Sequence, residues 1–167
     1  ERSVCLRAMA DELEKNDEPW LHLIVREAGK TWNDAVAEIR EAVDFLRYYA
    51  DEAEQQMKPI VLPGPTGERN ILSLHARGVF VCISPWNFPV AIFMGQIAAA
   101  VVCGNSVIAK PALQTSVLAQ RLTQLGHRCG IPSSVWQTIF ADVDVSEALI
   151  QAPDIHGVMF TGSTQTA

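Results

Sequence analysis

From Gly78 onward the chain alternates short apolar runs with helix-like stretches, and few folds can accommodate that order. Val79 to Ile83 is continuously apolar, as a strand covered on both faces must be. Pro89 to Cys103 follows as a helix, Ser106 to Ala109 as a second strand, and Thr115 caps a helix running to about Cys129. Gly130-Ile131-Pro132 stops that helix. Trp136 to Phe140 reads as a third strand, Ser146 to Gln151 as a short helix and His156 to Phe160 as a fourth strand. Strands and helices in strict alternation predict an α/β fold with a doubly wound parallel (Rossmann-like) sheet and right-handed crossovers.

The chain before Gly78 behaves differently. Leu6, Met9, Ala10 and Leu13 recur at helical spacing, and Pro19 opens a second helix that stops at Gly29. Thr31-x-x-Asp34 resembles a capping box for a third helix, whose Val36, Ile39, Val43, Leu46 and Ala50 form one apolar stripe. Its charges, Glu38, Arg40, Glu41, Asp44 and Arg47, are expected on solvated faces. Pro63-Gly64-Pro65-Thr66-Gly67 marks a loop, and Asn70 to Ala76 reads as a strand without an obvious hairpin partner nearby. The expected organisation is a helical segment over 1–58, a linker with an orphan strand over 59–77, and a partial Rossmann-like cofactor-binding domain over 78–167.

Length and charge narrow the function. A chain of 167 residues makes about one domain, and a net charge of −6 without any basic stripe argues against a nucleic-acid partner. Cys5, Cys82, Cys103 and Cys129 lie far apart with no histidine at ligand spacing, so no metal site is expected. Four reduced, structural thiols fit a cytoplasmic protein. The charged N-terminus begins no signal peptide, and Val90 to Cys103 is too short to span a bilayer.

In an open α/β sheet, ligands bind beyond the carboxyl ends of the strands. Asn87 lies there between Pro85 and Pro89, which fix its backbone from both sides. Such an amide either satisfies its own turn or stands ready to stabilise an oxyanion. Lys110 ends a strand, where an ammonium reaches solvent or donates to ribose hydroxyls. Gly162, followed by Ser163 and Thr164, occupies a strand-to-helix turn that is either an ordinary cap or an anion site. No G-x-G-x-x-G or P-loop pattern occurs, and His22, His75, His127 and His156 receive no role.

Five landmarks in order resemble the aldehyde dehydrogenase superfamily: Arg26 to Lys30, Pro85 to Pro89, Gly104-Asn105-Ser106, Lys110-Pro111-Ala112 and Phe160 to Thr164. Glu41 to Tyr49, Leu62 to Glu68 and Val81 to Asn87 are similar to one branch, the pyrroline-5-carboxylate (glutamate semialdehyde) dehydrogenase half of bifunctional proline-utilisation proteins. The resemblance implies thiolate attack on an aldehyde, hydride transfer to NAD and release of the acid by glutamate-activated water. It implies that Asn87 holds the oxyanion and Lys110 the adenosine ribose. Gly162 and Ser163 would then meet the pyrophosphate, with Phe160, Thr161 and Ala112 beside the cofactor and Ile83, Ser84, Pro85 and Trp86 lining its cleft. The family's nucleophilic cysteine and its glutamate base lie downstream of the Thr-Gly-Ser segment, so the chain is expected to be an N-terminal fragment that oxidises no aldehyde alone.

Two departures bear on the cofactor. Leu113 stands where the family often has a ribose-binding Glu, which leaves NADP as an alternative to NAD. Ala141 to Asp144 replaces a Gly-rich turn, and its carboxylates oppose a pyrophosphate. A degenerate, non-catalytic nucleotide-binding or assembly module is therefore the second reading. The resemblance also implies a homo-oligomeric parent, cytoplasmic or peripheral to the inner membrane, and FAD only where a proline dehydrogenase domain precedes. With a helix expected to begin near Ser163, an exposed apolar sheet face is expected as well.

Overall fold

The computed structural model describes residues 1–166. Three helices come first: α1 (Arg2–Lys15), α2 (Glu18–Ala28) and α3 (Trp32–Gln56). α1 buries Leu6, Met9, Ala10 and Leu13 against α3, which returns Ile39, Ala42, Val43, Leu46 and Ala50 to the same core. The predicted cap of α3 is present, with the Thr31 hydroxyl accepting from the Asp34 backbone N–H at 3.2 Å. Arg7 pairs with Asp51 and Glu54, and Arg47 with Asp11 and Glu14, clasping α1 to α3 along their solvent edges.

Four of the expected solvated charges are on the surface or its margin, and Glu38 is not. Its side chain is 1% exposed, because the helix Ala91–Val102 packs across α3. The orphan strand is also corrected. β1 (Ile60–Leu62) and β2 (Asn70–Leu72) pair antiparallel, so the partner is local and sits just before the Pro63 to Gly67 loop, within the segment read as linker. All six residues of this hairpin are exposed.

The second half alternates as predicted: β3 (Val79–Ser84), α4 (Ala91–Val102), β4 (Ser106–Pro111), α5 (Ser116–Arg128), β5 (Trp136–Thr138), α6 (Val143–Ile150) and β6 (Ile155–Phe160). The strands form one parallel sheet in the order β5-β4-β3-β6. Order reverses on passing from β5 to β6, so right-handed crossovers put α4 and α5 on one face and α6 on the other. Cys82, Val107 and Ala109 face the α4/α5 side and join a continuous core with α1–α3, centred on Phe93, Met94, Leu118, Leu122 and Trp136. Each fully buried Leu or Met there contributes about 1.5–3 kcal/mol. The opposite face is sparsely covered, since α6 buries no residue and Val143, Val145, Ile150 and Val158 remain exposed.

Thr115 stands at the N-terminal boundary of α5 but does not cap it; its hydroxyl donates back to the Ala112 carbonyl. Glu27 of α2 performs the capping, accepting from Val117 N–H at 2.8 Å and Leu118 N–H at 2.7 Å. Beyond β6 the described residues contain a single turn, closed by Thr166 N–H on the Ser163 carbonyl at 3.0 Å.

Candidate active site

Parallel register brings the strand ends to one level. Ile83 lies opposite Lys110 of β4 and Phe160 of β6, and Ser84 opposite Pro111. Ala112 N–H donates to the Ser84 carbonyl and Thr161 N–H to the Ile83 carbonyl, so pairing continues past the strands into the loops. The loop leaving each strand must therefore face the loops leaving its neighbours.

The result is a cleft of about 950 Å³ at the carboxyl edge, near the reversal of strand order. The segment 83–88 forms one wall, Phe160 to Ser163 the second, and Lys110, Ala112, Leu113 and Ala141 to Val143 the third. Every site residue expected from the sequence lies on it: Ile83, Ser84, Pro85, Trp86, Asn87, Lys110, Ala112, Phe160, Thr161, Gly162 and Ser163. Such a volume is at the upper end of small-molecule sites.

Three polar groups in the cleft are available, whereas the Ser163 hydroxyl is paired with that of Thr166 at 2.8 Å and the Thr161 hydroxyl accepts from Gln96. Asn87 is exposed, and among the described residues its side-chain amide has no protein partner, so it does not satisfy its own turn. No carboxylate of the described residues lies within ion-pair distance of the Lys110 ammonium. The Ser84 hydroxyl is buried and has no hydrogen-bond partner among the described residues. A Cβ at Gly162 would come within 2.7 Å of the Phe160 ring, so any larger residue there requires that ring to shift. An unpartnered amide, an unpaired ammonium and an orphaned hydroxyl on one cleft are donors suited to a ligand rich in oxygen acceptors.

Asp142 also lines the cleft, but its carboxylate accepts from Val145 N–H at 3.2 Å as the N-cap of α6. The α6 terminus is thus closed to a phosphate by its own side chain.

Four contacts around the cleft join residues that no sequence pattern pairs. Gln96 of α4 donates through Nε2 to the Ile83 carbonyl and the Thr161 hydroxyl, both at 3.1 Å, tying the two walls together. Lys30 lies 4.0 Å from the centroid of the Phe88 ring, and Glu38 accepts from Val90 N–H at 3.2 Å. The Gly104-Asn105-Ser106 landmark is structural: Asn105 is buried, accepts from Arg77 and Gly78 N–H and donates to the Ala100 carbonyl.

None of the four cysteines lines the cleft. Burial pushes the Cys82 thiol up to about 12, which keeps it protonated and inert at neutral pH. Among the described residues no group of His, Cys, Asp and Glu could hold a metal ion, and no helix is long and apolar enough to cross a membrane.

The profile described as "Aldehyde dehydrogenase family" matches residues 1–167. "Bifunctional protein PutA" of Rhizobium meliloti is 46% identical over 167 residues, spanning 100% of this chain and 12% of the relative. "1-Pyrroline-5-carboxylate dehydrogenase" of Anoxybacillus flavithermus is 39% identical over 142 residues, 84% of this chain and 28% of that one. The crystal structure of a Bradyrhizobium japonicum proline utilization A (PutA) mutant superposes with a TM-score of 0.97 at 48% identity, covering 99% of this chain and 17% of that chain. The chain thus spans a small part of the length of the proteins it matches.

Proposed function

This chain belongs to the aldehyde dehydrogenase family, and from that premise we propose that the whole protein oxidises L-glutamate γ-semialdehyde, the open form of pyrroline-5-carboxylate, to glutamate in proline catabolism. The choice of substrate rests on the names of the relatives, one a pyrroline-5-carboxylate dehydrogenase and one a bifunctional PutA. The observation that carries the reading is the meeting of the unpartnered Asn87 amide with Lys110 and the Gly162 turn on one cleft.

A bound nicotinamide dinucleotide would supply the hydride acceptor. Lys110 would donate to its ribose, Gly162 and Ser163 would lie against its pyrophosphate, and Trp86 and Phe160 would offer apolar walls. Asn87 would donate to the oxygen of the substrate carbonyl as that oxygen becomes an oxyanion, a role in which one preset donor is worth about 10²–10³-fold in kcat. The nucleophilic thiolate and the glutamate base would come from parts of the enzyme outside these 167 residues, because no cysteine and no glutamate of the described residues lines the cleft.

The test is NADH formation from glutamate semialdehyde by the full-length enzyme and by its Asn87→Ala variant. Asn87→Ala should lower kcat by about 10²–10³-fold with NAD affinity intact; an unchanged kcat would refute the oxyanion role. The 167-residue chain by itself should form no NADH above a heat-killed control.

The capping of α6 by Asp142, together with Leu113 beside Lys110, favours a second reading, a non-catalytic module on the same fold. Calorimetry with NAD and NADP separates the two. An assembly scaffold gives no saturable heat, whereas preference for NADP would trace to the missing carboxylate at position 113.

A further inference from the structure

We infer that Lys30 and Glu38 form a positioning pair that holds the Asn87 turn in its donating geometry, an inference that rests on the oxyanion role proposed for Asn87. Neither residue lines the cleft. They act on the two residues that flank Pro89, just after Asn87. The Lys30 ammonium lies 4.0 Å from the centroid of the Phe88 ring, a cation–π contact. Glu38 Oε2 accepts from the Val90 N–H at 3.2 Å. The same Lys30 Nζ stands 3.6 Å from Glu38 Oε1, which closes the clasp.

Geometry makes this clasp more than a packing detail. Asn87 has no side-chain partner of its own among the described residues, so its direction depends on the backbone around it. Pro85 restrains the chain before it. After it, Pro89 has no N–H, which leaves the Phe88 ring and the Val90 amide as the handles by which tertiary structure can grip the turn. Val90 N–H is also among the orphan donors at the start of α4, and Glu38 satisfies it from the neighbouring helix.

For stability alone a carboxylate is a poor choice at position 38. It is 1% exposed, and Oε1 has no hydrogen-bond partner. Burial outweighs the attraction of Lys30 and the Val90 bond and pushes its acid up to about 7. An apolar side chain of similar size would remove that penalty but would leave the Val90 amide unpaired and Lys30 without its anchor. The titratable neighbours are few: Lys30 on the α2–α3 connection and Glu41 on the same helix, while α4 carries none.

The test uses the nitrogen-15-labelled protein and its Glu38→Gln, Lys30→Met and Lys30→Arg variants, with the side-chain amide of Asn87 and the backbone amide of Val90 as reporters. In the wild type both signals should move with one midpoint near pH 7. Glu38→Gln, nearly isosteric, should abolish that titration in both. Lys30→Met should shift the Asn87 signal and raise the midpoint, and Lys30→Arg should restore wild-type behaviour. In the full-length enzyme Lys30→Met should lower kcat about tenfold, the loss of roughly one hydrogen bond's worth of alignment, with KM for NAD within about twofold.

An Asn87 signal indifferent to pH and to both charge-removing variants would overturn the inference, even if Val90 responded. So would a kcat unchanged in Lys30→Met, or one that fell equally in Lys30→Arg. Should the wild-type enzyme fail to oxidise the aldehyde, the proposed function falls while the two amide reporters still decide the positioning claim.

Discussion

Replacing Glu38 with Gln should alter how stability depends on pH, and the burial of the site sets the size of the change. Burial raises the Glu38 acid from an ordinary 4.5 to about 7, against the opposing pull of Lys30 and the Val90 N–H. At about 1.4 kcal/mol per pH unit, that displacement is worth about 3 kcal/mol between the two protonation states. Below pH 4.5 the carboxyl is protonated whether the chain is folded or not, and its contribution is fully present. Between 4.5 and 7 the unfolded chain releases the proton while the folded one retains it, so the native state loses ground as pH rises. Above 7 both states are ionised and the loss is complete.

A glutamine at this position cannot ionise and still accepts from Val90, so the Glu38→Gln variant lacks this slope. Other groups titrate alike in the two proteins and cancel in the difference. Urea unfolding from about pH 4 to about pH 8 should show the variant gaining about 3 kcal/mol on the wild type. With a slope of about 2 kcal/mol per molar urea, the relative midpoint moves by about 1.5 M. Parallel curves across that range would refute the burial of Glu38 as an ionising group, and with it the origin assigned to its raised acid.

Other substitutions probe the remaining contacts. Glu27→Ala removes both carboxylate oxygens from the Val117 and Leu118 amides and should cost about 1–2 kcal/mol in denaturant unfolding. Gly162→Ala drives a Cβ against the Phe160 ring and forces it off its rotamer at about 1 kcal/mol, so calorimetry should find dinucleotide binding weakened by about fivefold. At about pH 8 iodoacetamide should label Cys5, Cys103 and Cys129 well before Cys82, whose thiol is buried and held near 12; mass spectrometry reporting Cys82 first would contradict the packing of β3.

Much of the site was legible because parallel strands share an edge. Once Val79 to Ile83, Ser106 to Ala109 and His156 to Phe160 are recognised as parallel strands of one sheet, Asn87, Lys110 and Gly162 must emerge on the same side. The stripe of α3 and the four buried residues of α1 were equally plain, since a helix writes its buried face into its period. The hairpin was not: Ile60–Leu62 sits among prolines and glycines, and its three residues carry too little pattern to reveal a strand.

Local order along the chain decided the alternation of elements, the edge where the loops converge and the residues those loops present. Tertiary structure alone decided which partners Glu38, Glu27 and Gln96 find, even though Glu27 lies within the Arg26 to Lys30 landmark. Their partners lie 52, 90 and 65 residues further along the chain, at Val90, Val117 and Thr161. A periodic pattern records whether a side chain faces the core, because burial of apolar surface is a property of the helix face. Which donor a polar group finds there depends on the neighbouring helix and its height against the first, and that is settled only when the layers pack.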